Sequence, residues 1–257
     1  MADDKPAVPA HPLSPLRRHT EARIGLGRFG AGLPTAAHLD FAEAHAKARD
    51  AVHTAFDVDD VAERLSRQGL PSVRVRSEVP DRATYLRRPD LGRRLAEDSR
   101  VELAAIKEGP FDLVIVIADG LSARAVNLYA AETAAAVVQH LPADWRFAPV
   151  VIAEQGRVAL SDPIGEALRA EAALMLIGER PGLSASDSLG AYLTHAPKPG
   201  RSDAERNCVS NIRAGGFKPD LAAAKIADLA MRAKVQQISG VRLREAPNSL
   251  AEGGKPD

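Results

Sequence analysis

Three short runs of apolar, mostly β-branched residues constrain this chain most: DLVIVIA at 112–118, PVVIA at 149–153 and ALMLI at 173–177. Uninterrupted runs of this length suit strands buried on both faces, the situation found in parallel sheets with helices on either side. Each run ends in a polar, glycine-containing loop: Asp119-Gly120-Leu121-Ser122, Glu154-Gln155-Gly156-Arg157-Val158 and Gly178-Glu179-Arg180-Pro181-Gly182. Ser122 can cap a helix running to about His140, and Asp162-Pro163 opens a short helix with proline at its first position. The alternation of strand, loop and helix predicts an α/β fold: a doubly wound, mainly parallel sheet flanked by helices.

The segment before this core reads as mainly helical. Residues 35–56 place Leu39, Ala42, His45 or Ala46, Arg49 and Val52 at helical spacing, and residues 57–68 form a second helix ended by Gly69. Residues 73–79 alternate and predict a half-exposed strand, residues 220–237 a last helix, and residues 240–243 a final strand. The expected organisation is a flexible N-terminal arm at 1–22, a mainly helical segment at 23–110, the α/β core at 111–245 and a flexible tail at 246–257.

Charge and cysteine usage exclude several function classes. Lys+Arg and Asp+Glu both number 34, and aromatics make up 4%. Neither the basic excess nor the stacking platforms of a nucleic-acid binder are present. The single cysteine, Cys208, forms no internal disulfide and no multi-cysteine zinc site, which fits a cytoplasmic protein. The first residues carry no apolar signal-peptide region, and no run of 18 apolar residues is present.

No self-contained catalytic set stands out. P-loop, HExxH and GxSxG patterns are absent. His38, His45 and His53 are seven and eight residues apart, whereas a metal pair on one helix face uses four. Residues 25–30 (GLGRFG) match the dinucleotide fingerprint formally, and Asp50 follows Gly30 by 20 residues. The fingerprint needs a strand before it and a helix opening directly after it, and both are wanting here. Beyond the strand ends, where open α/β sheets bind ligands, the three glycine loops read equally as a binding site or as plain turns.

A series of motifs adds to this reading: RIGLGR at 23–28 with LPT at 33–35, DRATYL at 81–86, RPDLGRR at 88–94, IADGLS at 117–122, GRV at 156–158, IGE at 164–166, IGERPGL at 177–183 and RNCVSNI at 206–212. In this order they resemble the small (light) subunit of ethanolamine ammonia-lyase over about residues 23–243. The resemblance implies an adenosylcobalamin-dependent enzyme converting ethanolamine to acetaldehyde and ammonia by radical chemistry. It also implies that a TIM-barrel large subunit carries the substrate site and catalytic residues, while the small subunit closes over the lower part of the corrin. The cobalamin-contacting positions it implies are Val158, Glu179 and Cys208, with no catalytic residue and no metal ligand on this chain. Val209 stands where the family motif has Ile, a mild departure. An Asp-x-His-x-x-Gly motif is absent, so the cofactor is expected to keep its own dimethylbenzimidazole on cobalt. The implied assembly is a dodecamer of six large and six small subunits. Family members with longer N-terminal arms are linked to packaging in bacterial microcompartments. Two other readings are a free-standing nucleotide-dependent oxidoreductase using the Gly25–Gly30 loop, and a non-enzymatic microcompartment adaptor.

Overall fold

A computed structural model describes residues 11–243. Its elements run α1 (Thr35–His53), α2 (Val58–Arg67), β1 (Ser72–Arg76), α3 (Arg82–Arg87), α4 (Glu97–Ala104), β2 (Phe111–Ala118), α5 (Ala123–His140), β3 (Val150–Glu154), α6 (Ser161–Ala167), β4 (Ala170–Gly178), β5 (Leu189–His195), β6 (Arg206–Ile212) and α7 (Pro219–Gln236). One six-stranded sheet is ordered β1-β3-β2-β4-β5-β6. The pairs β1–β3, β3–β2 and β2–β4 are parallel, while β5 pairs antiparallel with β4 and β6 antiparallel with β5. The fold is therefore α/β with helices on both faces of a mixed sheet.

The apolar run of β2 explains why it lies at the centre. Leu113, Ile115 and Ile117 join the core on one face with α2, α5 and α7, and Val114, Val116 and Ala118 join the core on the other with α4 and α6. Fully burying each such side chain stabilises the fold by about 1.5–3 kcal/mol. Alanines let the first layer pack closely: Ala130 and Ala134 of α5 and Ala223, Ala227 and Ala230 of α7 are all buried. Asp57 caps α2 by accepting from the Asp60 backbone N–H at 3.0 Å, and Ser122 accepts from Ala125 N–H at the start of α5.

Several expectations need correction. Residues 189–195 and 206–212, for which no strand was expected, are strands; they add two antiparallel pairs to a sheet whose other pairs are parallel, in keeping with the mainly parallel sheet expected. Helix α6 begins at Ser161, so Pro163 is its third residue rather than its first. Residues 240–242 form a 3-10 turn instead of a final strand. In α1 the periodic Leu39 is 61% exposed, and the buried positions are Ala44 and Ala51. The alternation at 73–79 does hold: Val75, Ser77 and Val79 are buried and Arg74, Arg76 and Glu78 exposed. Strand β1, drawn from the segment expected to be mainly helical, joins the same sheet. Part of the expected N-terminal arm, Ser14–His19, forms a 3-10 turn, and the expected tail at 246–257 lies outside the described residues.

Candidate functional site at the strand ends

Strands β2 and β3 are neighbours, but their onward connections diverge. After β2 the chain rises into α5 on one face, and after β3 it enters α6 on the other. The loops therefore part and leave a crevice beyond the carboxyl ends of the strands, the place where open α/β sheets bind ligands. A cavity of about 380 Å³ lies there. Its walls take Leu121 from the β2 loop, Arg157 and Val158 from the β3 loop, Glu179 and Arg180 from the β4 loop, and Tyr192 from β5.

Buried groups hold these loops in register. Asp119, at the end of β2, accepts from the Gly156 backbone N–H at 3.1 Å and pairs with Arg82 at 3.2 Å. Gln155 has φ of +54°, a left-handed conformation uncommon for a side chain of this size, and its carbonyl accepts from Ser77 Oγ at 2.8 Å. Glycine is required where β4 leaves the sheet: a Cβ on Gly178 would come within 2.1 Å of the Ser122 carbonyl oxygen.

Glu179 sits where β4 ends. Its Oε2 accepts from Ser188 Oγ at 2.5 Å and from the Asn211 backbone N–H at 3.2 Å. Among the described residues no arginine binds it, so the ion pair with Arg157 or Arg180 that its neighbours suggest is not made, and the hydrogen bonds it accepts there go to Oε2, leaving Oε1 without one. Val158 begins a 3-10 turn, half-buried against the core beneath it. Cys208 is exposed on β6, paired in register with Tyr192. Desolvation pushes the thiol up, opposed by the neighbouring Tyr192 hydroxyl and reinforced by the Glu179 charge. A thiol shifted in this direction is less apt to act as a nucleophile. The three residues singled out from sequence thus converge: Val158 and Glu179 line the cavity, and Cys208 adjoins it through Tyr192.

Sequence reasoning missed Asp119, Arg82, Tyr85, Arg157 and Tyr192. Arg157 lines the cavity with its guanidinium 4.1 Å over the Tyr85 ring, and its Nε is buried without a hydrogen-bond partner. The only available signal was position, since Asp119 and Arg157 lie in strand-end loops. Nothing local marks Tyr85, which reaches the site from 71 residues away by donating to the Gly156 carbonyl at 2.8 Å. Among the described residues no strand precedes the GLGRFG loop, and α1 starts only at Thr35, so the geometry of a dinucleotide site is not met there. Among the described residues no group of three or more His, Cys, Asp or Glu could hold a metal ion, and no helix is long and apolar enough to cross a membrane.

Asp119 predicts a pH dependence. Burial raises its carboxyl from an ordinary 3.8 to about 6, against the lowering influence of Arg82 and of backbone N–H donors. A raised carboxyl favours folding when protonated, so its contribution is full below about pH 4 and is lost as pH rises through about 6. The swing is roughly 3 kcal/mol. Asp119→Asn should remove it. Between pH 4 and 6 the unmodified chain is expected to lose thermal stability relative to the Asn variant, and parallel melting curves would contradict the assignment.

Residues 10–244 match the family model of the ethanolamine ammonia-lyase light chain (EutC). The chain is 52% identical over 242 residues to an ethanolamine ammonia-lyase small subunit of Bradyrhizobium diazoefficiens, covering 93% of each chain. It is 50% identical over 249 residues to the protein of that name in Azotobacter vinelandii, covering 95% of this chain and 92% of the relative. With the one from Pseudomonas syringae it shares 49% identity over 243 residues, or 93% and 85% of the two chains.

Proposed function

Because the chain belongs to the ethanolamine ammonia-lyase small-subunit family, we propose that it holds adenosylcobalamin at the strand-end cavity, against the large subunit of that lyase. The observation that carries this reading is the convergence of three loops on one cavity that offers both a free acceptor, Glu179 Oε1, and a buried donor without a partner, Arg157 Nε. A corrin is rimmed by amide side chains, which need acceptors for their N–H groups and donors for their carbonyls. Leu121, Val158 and Tyr192 supply apolar contact between those polar points. The residues present fit the group.

The cavity also fits a subunit rather than a complete enzyme. At about 380 Å³ it takes an edge of a macrocycle and not the whole, so the second wall comes from another chain. The large subunit supplies that wall, the substrate site and the catalytic residues for turning ethanolamine into acetaldehyde and ammonia. When bound, adenosylcobalamin supplies the radical chemistry. On this chain Glu179 accepts from the corrin rim, Arg157 donates to it, and Val158 and Cys208 pack against it.

The test is co-expression with the large subunit, gel filtration, and a visible spectrum after adding cyanocobalamin. The two chains are expected to co-elute and retain corrin absorbance. Glu179→Ala removes a charged acceptor worth about 1.5–3 kcal/mol, so corrin affinity should fall roughly 10- to 100-fold. A stable complex that never takes up corrin would refute the assignment.

A further inference from the structure

The DRATYL segment has no part in the function proposed so far, yet it reaches the cavity floor. Asp81 caps α3 by accepting from the Thr84 backbone N–H at 2.8 Å, which fixes the helix that presents Arg82 and Tyr85. Tyr85 is fully buried. Its ring is flanked by two guanidinium groups, Arg157 at 4.1 Å and Arg82 at 4.7 Å. Its hydroxyl donates to the Gly156 carbonyl at 2.8 Å, while Arg157 Nη2 donates to the Tyr85 carbonyl at 3.1 Å. Arg82 spreads over three acceptors: the Val52 carbonyl at 2.9 and 3.0 Å, the Gly120 carbonyl at 2.8 Å and Asp119 at 3.2 Å. Asp119 in turn accepts from Gly156 N–H. Both backbone polar groups of Gly156 are thereby held, one by Tyr85 and one by Asp119. Val158 lies two residues further on, and Arg157 is pinned from both its side chain and its backbone, where its N–H donates to the Gly92 carbonyl at 2.8 Å.

We infer that Tyr85, braced by Arg82, is a positioning residue that sets cofactor affinity by fixing the Gly156–Val158 loop before the cofactor arrives. The inference rests on the cofactor reading above. A loop already ordered in its bound shape loses little freedom on binding, whereas a loosened loop must be ordered at the expense of affinity. Tyr85→Phe keeps the ring and its cation contacts but leaves the buried Gly156 carbonyl without its donor. Arg82→Lys keeps the charge beside Asp119 but loses the fork across Val52 and Gly120.

The experiment is a spectral titration of cyanocobalamin into the co-expressed complex, with Thr133→Val as a control. Thr133 is buried midway along α5, where its hydroxyl donates to the Tyr129 carbonyl at 2.7 Å, so the control removes a buried hydrogen bond away from the cavity. Tyr85→Phe should weaken corrin binding by about 5- to 10-fold. Hydrogen exchange at the amides of residues 157–160 should quicken in the same variant. Thr133→Val should lower the melting temperature and leave corrin affinity where it was. Arg82→Lys should weaken binding in the same direction and decides the matter if the Phe variant does not fold. Equal affinity in Tyr85→Phe and unmodified complexes overturns the positioning role alone. An unmodified complex that takes up no corrin overturns the cofactor reading and this inference with it.

Discussion

Asp162→Ala is expected to lower stability by about 3–5 kcal/mol, which for a chain of this size moves the melting temperature by roughly 6–20 °C. Asp162 of α6 and Arg206 of β6 form a two-pronged ion pair at 2.8 and 2.7 Å, and both side chains are 2% exposed. Arg206 also donates to Thr194 Oγ1 at 2.8 Å and to the Arg201 carbonyl at 3.1 Å. Removing the carboxylate leaves a guanidinium out of water with its main partner gone, and the cost of that uncompensated charge decides the size of the effect. The pair itself adds little over apolar residues of the same volume. A double variant, Asp162→Leu with Arg206→Met, is therefore expected to be far more stable than the sum of the two single losses would allow. Chemical denaturation of the three variants checks both statements. A single alanine change costing less than 1 kcal/mol, or strictly additive losses, would contradict the picture of a desolvated pair.

Gly178→Ala is expected to be as damaging for a different reason. At this point the end of β4 crosses the β2 loop backbone to backbone. A methyl group on Gly178 would sit 2.1 Å from the Ser122 carbonyl oxygen and 2.6 Å from that of Asp119, while one on Gly120 would sit 2.2 Å from the Gly178 carbonyl oxygen. The same crossing carries a hydrogen bond from Leu121 N–H to the Gly178 carbonyl at 2.9 Å. Every atom obstructing a methyl on Gly178 is backbone, so β2 and β4 would have to separate at the mouth of the cavity. A loss of more than about 3 kcal/mol is expected, with poor recovery of soluble chain on expression. Gly182→Ala, in the same loop with nothing closer than 3.8 Å to the added methyl, should be close to neutral. Melting temperatures of the two variants measured side by side provide the check, and similar values for both would be inconsistent with a crossing this tight.

The sequence was most legible where burial is symmetric. Strands β2, β3 and β4 lie inside the sheet between two layers of helices, so every position along them is selected for apolar character and the runs stand out. Strand β6 is an edge strand reading RNCVSNI, with Cys208, Ser210 and Asn211 exposed, and no periodicity marks it. Strand β5 is almost wholly buried, but Gly190 and Thr194 interrupt its apolar run, and a methyl added at Gly190 would have to displace the Glu179 side chain, which it would meet at 2.9 Å. In α1 the apolar residues sit at helical spacing, yet Leu39 and Phe41 face outward, because spacing says which residues share a face and not which face is covered. The same division holds at the site. Val158 and Glu179 were singled out by the family resemblance, and topology added only that strand-end loops of a doubly wound sheet are where ligands bind. Tyr85 and Arg82 could not, since their contribution depends on a fold-back across more than seventy residues in one case and nearly forty in the other.

The return of the chain through β5 and β6 also fixes the moment in synthesis when the cavity first exists. Glu179 is held by Ser188 ahead of β5 and by Asn211 near the end of β6, while the opposite wall depends on Tyr85. A growing chain that has just completed β4 possesses all three glycine loops and can close none of them into a finished site. Pairings of such long sequence separation form late in folding, after the local helices. If the cofactor reading holds, capture belongs to the completed protein, and a prematurely terminated chain lacking β6 would expose the sheet edge at β5 without a finished cavity.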